Sequence, residues 1–408
     1  MIIEPVERIS GTLKAPSSKS YTHRVLFLGL LSDGVTRFED PLRCEDTNFT
    51  LETVSDFGAT CDWNSIESDG SVAEANIHAG ESGTTARIAT AVAGLSQGVC
   101  KIDGAPGLRK RPMQPLLEAL SQLGIKTESR DGRLPVVIHG KGDEIEENKV
   151  KMSDLISSQF ITAMMYLGSK ADLEIEIEGG LVSKPYVDMT VEILEKGGAK
   201  IDREGNSYLV EGGVGPNHFS IPGDYSSAAF YLAAGALFGD ITIENLDSNS
   251  LQADKKILAI LEKIGADIKV REDKVRVRRD ELNGFEINCD DFPDLFPILT
   301  VLGVYSEGET VLTGQQLRYK ESDRIKSMVE NLEKMGADIE ELGEGVLVKR
   351  SELKGAEIDP KGDHRIAMAL SIAALGAEGN TFIEDYSCVK KSYPKFFKHL
   401  EQVIEDGR

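Results

Sequence analysis

The sequence is short of positive charge and of metal-binding patterns. Its 46 Lys and Arg stand against 68 Asp and Glu, a formal net charge of −22, which argues against a general binder of nucleic acid or anionic membrane. An anionic small ligand would need cations gathered locally. Five cysteines (Cys44, Cys61, Cys100, Cys289, Cys388) lie scattered without CxxC spacing, and six histidines form no HxxxH pair. Neither a disulfide framework nor a zinc site is indicated, and a reducing compartment fits this usage. The start "MIIEPVERIS" lacks a basic region followed by an apolar one, and no apolar run reaches the roughly 18 residues of a membrane span. The expectation is a cytoplasmic protein. "GESGTT" lacks the Lys of a GxxxxGK[ST] phosphate loop, which sets an ATPase aside. What is present is ordinary for two or three globular domains: 408 residues, 40% hydrophobic and 28% charged.

One stretch concentrates the chemistry. "GDHRIAMALSIAALG", residues 362–376, sets Asp363, His364 and Arg365 in a row ahead of an Ala-, Leu- and Met-rich run closed by Gly376. The run reads as a helix apolar nearly all round, hence buried, with the ionisable groups at its N-terminus. Asp363 suits that place as a cap, whereas Arg365 is a cation where the helix dipole already supplies about +0.5 charge. Something negative must relieve the conflict.

The pattern recurs. Polar-headed apolar helices also begin at "SSKSYTHRVLFLGLLSDG" (17), "GESGTTARIATAVAGLSQG" (80), "SDLISSQFITAMMYLG" (153), "GDYSSAAFYLAAGALFGD" (223) and "CDDFPDLFPILTVLGVYSEG" (289), making six copies. Each is followed by a short strand-like run and an amphipathic helix. Four of these second helices end alike, in "LSQLGIKT", "LEKGGAKI", "LEKIGADI" and "LEKMGADI", with Gly where a helix terminus favours a left-handed residue. Six units of about 68 residues, each strand, buried helix, strand, amphipathic helix and two strands, predict an α/β protein of two groups of three. The last unit, ending "SYPKFFKHLEQVIEDGR", lacks closing strands, while the strand-like first 14 residues precede the first polar head without a helix of their own. The expected domains are therefore 1–14 plus 223–408, and 15–222, with crossings near 14–18 and 220–224. If the buried helices of a group point the same way, their positive ends gather. Lys19, Arg24, Arg87, Arg109, Arg111, Lys320, Arg324, Arg365, Lys390 and Lys391 would then line a cleft built for a multiply anionic ligand.

On these residues the chain resembles the 5-enolpyruvylshikimate-3-phosphate synthase family over essentially its whole length. "PSSKSYTHR", "ESGTTAR", "RKRP", "SSQF", "LVSKPYVD", "DDFPDLFP", "RYKESDRI", "GDHRIAM" and "VKKSYPKFF" are similar to the family's motifs and occur in the family's order. The resemblance implies a two-lobed inside-out α/β barrel, each lobe three βαβαββ units with buried parallel helices. It also implies a reaction: the 5-hydroxyl of shikimate 3-phosphate adds to C2 of phosphoenolpyruvate, and the resulting tetrahedral ketal phosphate loses inorganic phosphate. That chemistry requires no metal or organic cofactor, and the working form is expected to be a monomer.

By the matched motifs, Lys19, Ser20, Arg24, Ser157, Ser158, Gln159, Ser183, Asp294, Gln316 and Lys320 are implied to hold shikimate 3-phosphate. Lys19, Gly83, Arg111, Gln159, Arg324, Arg365 and Lys391 are implied to hold phosphoenolpyruvate. A hydroxyl nucleophile must lose a proton while a methylene carbon gains one. Asp294 matches the family's base, Glu321 is the acid candidate, and Lys19 assists at the leaving phosphate. The plain alternatives are a helix cap for Asp294 and a surface ion pair for Glu321 beside Lys320 and Asp323. His364 is either a third proton carrier or an orienting group for Arg365. Two positions depart from the family's pattern: Glu81 stands where Asn is frequent, and Gln316 where Asn or His is usual. The sister UDP-N-acetylglucosamine enolpyruvyl transferase family usually carries a Cys in the loop before its Arg-Pro turn. Here that loop, "DGAPGLRKRP", has none.

Overall fold

The structure, a computed structural model, describes residues 1–153 and 155–408. Twelve α-helices run through the described residues: α1 (Lys19–Leu31), α2 (Glu45–Asp56), α3 (Gly83–Val92), α4 (Gln114–Gln122), α5 (Gln159–Ala171), α6 (Lys184–Lys196), α7 (Tyr225–Phe238), α8 (Lys256–Ile264), α9 (Phe296–Tyr305), α10 (Arg324–Lys334), α11 (His364–Ala374) and α12 (Phe396–Glu405). The odd-numbered helices are the six polar-headed runs. Every residue of α11 is buried, and α7 buries all but Ser226, as small and apolar side chains on all faces require. The even-numbered helices bury one face. In α8 that face is Ile257, Ile260, Leu261 and Ile264, spaced to fall on one side. Gly265 (φ 110) ends α8 and Gly336 (φ 87) follows α10; a side chain there would be strained, and the chain turns at once into a strand.

The chain folds as two compact units, Met1–Pro16 with Pro222–Arg408, and Ser17–Ile221. The sheets repeat one plan. In the sheet Asn76–His78, Val99–Asp103, Arg133–His139, Lys126–Arg130, the first pair is parallel and the other two are antiparallel. A parallel pair needs a crossover, and α3 supplies it from the buried side. In the five four-stranded sheets the closing hairpin follows the amphipathic helix.

Three sheets depart from strict chain order. Asp33–Glu39, which follows α1, takes its parallel neighbour from His218–Ser220. Ile9–Lys14, which precedes α1, lies instead parallel to Gly239–Glu244 within the unit Met1–Pro16 with Pro222–Arg408, in register from Ile9 with Gly239 to Lys14 with Glu244. The sixth sheet has no closing hairpin, and Ile2–Ile3 pairs antiparallel with Thr381–Ile383 in its place. No helix among the described residues is long and apolar enough to cross a membrane.

Candidate active site

In the unit Ser17–Ile221, the side chains singled out above sit at helix starts. Ser18 caps α1, its hydroxyl accepting the Tyr21 N–H at 3.4 Å, so Lys19 and Ser20 open the helix. Lys19 Nζ donates to Asp46 Oδ2 at 2.6 Å. Arg24, one turn on, is buried and spends Nε on Thr190 Oγ1 (2.9 Å), Nη1 on the Ser20 carbonyl (3.0 Å) and Nη2 on the Tyr186 carbonyl (3.0 Å). It bolts α1 to α6.

Ser82 caps α3 and leaves Gly83 as its first residue. The Arg111 guanidinium lies against that glycine: a Cβ there would stand 2.7 Å from Arg111 Nη1. Glu81, the first departure from the family pattern, accepts the Gly107 N–H at 3.2 Å and so pins the loop that carries Arg111. Arg87 is buried with its guanidinium 4.7 Å from the Phe160 ring centroid, and it donates to Gln159 Oε1. Gln159 opens α5 and in turn donates to Thr84 Oγ1 at 3.2 Å, which ties α5 to α3. Ser157 Oγ accepts the Gln159 N–H at 3.3 Å, and Ser158 holds the cap position of α5. Ser183, buried and left-handed (φ 55), occupies the cap position of α6. Arg109 differs from expectation. It is exposed and holds Asp103 through two bonds of 2.8 and 2.6 Å, because a strand end and the turn six residues on bring the two together at the surface.

The other unit carries a denser ionic cluster. Arg324, the first residue of α10, is completely buried. Its Nε donates to Asp363 Oδ2 (3.0 Å), Nη1 to Asp294 Oδ1 (2.7 Å) and the Pro293 carbonyl (3.0 Å), and Nη2 to Glu321 Oε2 (2.8 Å). Asp363 caps α11 as its position predicts, accepting the Arg365 N–H at 2.9 Å. Arg365 Nη2 meets Asp294 Oδ2 at 2.8 Å. Asp294 thus supplies the negative partner that a cation on the first turn of α11 calls for.

These contacts bear on the plain alternatives for Asp294 and Glu321. The cap position of α9 belongs to Leu295, so the Asp294 carboxylate is not spent on a helix end. Glu321 pairs with buried Arg324, while Lys320 donates to Gln316 Oε1 (2.6 Å) and Asp323 caps α10 and pairs with Arg318 (2.9 Å). Glu321 thus rests on a buried guanidinium. Gln316, the second departure, is buried and donates to the Asp290 carbonyl at 2.7 Å. Lys391 donates to the Gly362 carbonyl at 3.0 Å, next to the cap Asp363, whereas Lys390 is exposed. His364 is buried at the first position of α11.

Burial alone would push the Asp294 carboxyl up, but Arg365 and then Arg324 outweigh it and hold the group well below the usual carboxylate range. Asp254 behaves oppositely. Burial first, then the charge of Asp294, push it up to about 7 against the pull of Arg365, while Ser226 Oγ donates to it. Asp46, Asp254 and Thr190 are partners that the sequence alone does not single out. In "CEDTNFT" and "LQADKK" an acidic residue beside a helix start looks like any other, and only the fold names its counterpart.

Cations and helix N-termini together make anion-binding surfaces, and planar guanidinium groups suit carboxylates and phosphates. Comparison with known proteins agrees with that chemistry. A family model described as EPSP synthase (3-phosphoshikimate 1-carboxyvinyltransferase) matches residues 3–400. The 3-phosphoshikimate 1-carboxyvinyltransferase of Pyrococcus abyssi is 45% identical over 407 residues, covering 100% of this chain and 98% of the relative. That of Methanocaldococcus jannaschii is 42% identical over 414 residues, covering 97% and 96%. An EPSP synthase structure from Acinetobacter baumannii superposes with a TM-score of 0.79 at 25% identity, covering 98% of this chain and 97% of that one. With the family model spanning nearly the whole chain and relatives matching end to end, the chain belongs to the EPSP synthase (3-phosphoshikimate 1-carboxyvinyltransferase) family.

Proposed function

We propose that this enzyme moves the enolpyruvyl group of phosphoenolpyruvate to the 5-hydroxyl of shikimate 3-phosphate and releases inorganic phosphate, with the following division of labour. Lys19, Gly83, Arg111, Gln159, Arg324, Arg365 and Lys391 hold phosphoenolpyruvate. Lys19, Ser20, Arg24, Ser157, Ser158, Gln159, Ser183, Gln316 and Lys320 hold shikimate 3-phosphate. The observation that carries the reading is Asp294, whose two oxygens rest on two different guanidinium groups at the starts of α10 and α11. A carboxylate so placed is a poor base until an anion takes over those guanidinium contacts. Phosphoenolpyruvate is such an anion, so its arrival lifts the field that depresses Asp294 and strengthens the base where the acceptor hydroxyl must be deprotonated.

In the addition step the hydroxyl oxygen bonds to C2, its proton passes to Asp294, and the methylene carbon takes a proton from Glu321, with Lys19 at the phosphate. In the elimination step the C2–O bond to phosphate breaks and the methyl group returns a proton, restoring the double bond. Arg24 and Arg324 spend most of their donors inside the protein. They act chiefly by orienting Ser20, Asp294 and Glu321, and Arg324 reaches a ligand only as a carboxylate yields. The working form is a cytoplasmic monomer in this reading, and light scattering at micromolar concentration checks the oligomeric state.

A phosphate-release assay with both substrates, run beside one with UDP-N-acetylglucosamine as acceptor, tests the function. Release with the latter and none with shikimate 3-phosphate overturns it. Two substitutions test the donor half. Arg365→Ala is expected to raise the Michaelis constant for phosphoenolpyruvate by roughly ten- to 150-fold, the worth of a charge-assisted contact of about 1.5–3 kcal/mol, and to move that for shikimate 3-phosphate much less. Equal effects on both constants count against the assignment. Gly83→Ala forces the Arg111 guanidinium aside, since the new Cβ stands only 2.7 Å from Nη1 and 3.0 Å from Cζ. Steady-state kinetics should show a rise of about tenfold or more for phosphoenolpyruvate, with thermal stability nearly unchanged because the displaced atoms end a flexible side chain.

A further inference from the structure

Behind Lys19 runs a hydrogen-bonded chain that none of these roles uses. Lys19 and His23 lie one turn apart on α1, and Asp46 and Thr50 lie one turn apart on α2. The first of each pair forms the 2.6 Å ion pair described above, and the second of each meets in a 2.6 Å bond between His23 Nδ1 and Thr50 Oγ1. Thr50 Oγ1 continues to Thr85 Oγ1 at 2.7 Å, and Thr85 Oγ1 to Ser82 Oγ at 2.6 Å. Ser82 is the cap of α3, where it also accepts the Thr85 N–H at 3.3 Å. All four side chains are at most 1% exposed.

The direction of the chain follows from its far end. His23 Nε2 is buried and has no hydrogen-bond partner among the described residues. If Nδ1 carries the proton, Nε2 is a bare lone pair and each hydroxyl donates onward: His23 to Thr50, Thr50 to Thr85, Thr85 to Ser82. The opposite polarity aims a buried ring N–H, fixed in direction, at no acceptor; this one leaves instead the Ser82 O–H, which can rotate about its C–O bond to find one. Burial, then Lys19 and Arg24, hold the imidazole well below its ordinary pKa, so it stays neutral.

We propose that His23 is a positioning residue: as a neutral, Nδ1-protonated imidazole it orders a hydroxyl chain that fixes the first turn of α3, bearing Gly83, against the first turn of α1, bearing Lys19, and so sets affinity for phosphoenolpyruvate. The inference rests on the assignment of Lys19 and Gly83 to that substrate. Its physical basis is that binding donors on two separate helices work together only at a fixed spacing, and a shift near 1 Å can cost about 10²-fold.

The test combines kinetics with a spectroscopic reading of the wild-type enzyme. His23→Leu and Thr85→Val break the chain at opposite ends. Each is expected to raise the Michaelis constant for phosphoenolpyruvate about tenfold or more while leaving that for shikimate 3-phosphate within about twofold, and His23→Asn, which can present an N–H near the Nδ1 position, recovers most of the loss. Equal changes in both constants, unchanged constants, or no recovery with Asn overturn the proposal. Long-range ¹H–¹⁵N correlation on the wild-type protein should show His23 neutral with the proton on Nδ1; a proton on Nε2 overturns it even where the variants fail to fold. A wild-type enzyme that releases no phosphate from the two substrates refutes the functional reading instead, and leaves the tautomer measurement standing on its own.

Discussion

Asp294→Asn is expected to lower turnover by about 10²–10⁴, the usual worth of general acid–base catalysis, while shikimate 3-phosphate binds within a few fold of wild type. Asparagine keeps the size and one acceptor oxygen but is no base at neutral pH. It also turns an amide N–H₂ toward one of the two guanidinium groups that Asp294 now joins, so part of the loss should appear in the Michaelis constant for phosphoenolpyruvate. Calorimetry for shikimate 3-phosphate and steady-state rates on one preparation separate the effects. A fall in turnover of less than tenfold makes Asp294 an ion-pairing residue only, and moves the search for the base to Glu321.

Arg324→Met is expected to cost about 3–5 kcal/mol of folding stability, because it strands carboxylates that now share one guanidinium. Asp363 is completely buried, and Asp294 and Glu321 retain only 23% and 20% of their side-chain exposure. Burial alone would lower the pKa of the guanidinium. Asp363, Glu321 and Asp294 more than offset it and hold that pKa well above its ordinary value, so this cation stays charged across the working range. The sign of the pH dependence follows. In the variant the uncompensated carboxyl cluster takes up a proton more readily in the folded than in the unfolded state. The folded state then binds more protons, and its stability rises as pH falls. Denaturant unfolding should show the variant's deficit shrinking from pH 7.5 to pH 5. A deficit that is small, or that grows toward pH 5, overturns the account of Arg324 as the charge on which this corner folds.

The legible part of the protein was what repeats along the chain. Helix periodicity, the six polar heads and the terminal glycines are local patterns, so α7 and α11 could be read as buried and α8 as one-faced, as they are. Asp363 could be read as a cap because capping is settled within three residues. The family motifs were legible for the same reason, being short contiguous runs. Pairing was not legible. Arg109 looked like one more cation near a helix start, yet it closes on Asp103 at the surface. Glu321, the acid candidate with a surface ion pair as its plain alternative, turns to a fully buried Arg324, 3 positions on, that its own neighbours do not announce.

By itself, then, the sequence determined the α/β repeat, which helices are enclosed, and the residue types gathered at their starts, since each depends on side-chain period and near neighbours. Tertiary structure alone decided which charge answers which. Lys19 meets Asp46 across 27 positions, Arg324 meets Asp363 across 39, and Ile9–Lys14 finds its parallel neighbour in Gly239–Glu244. Contacts at such separations leave no periodic trace in the chain. They are selected when buried helices bring distant first turns together, in surroundings where an uncompensated charge costs several kcal/mol and a well-placed counter-charge offsets it.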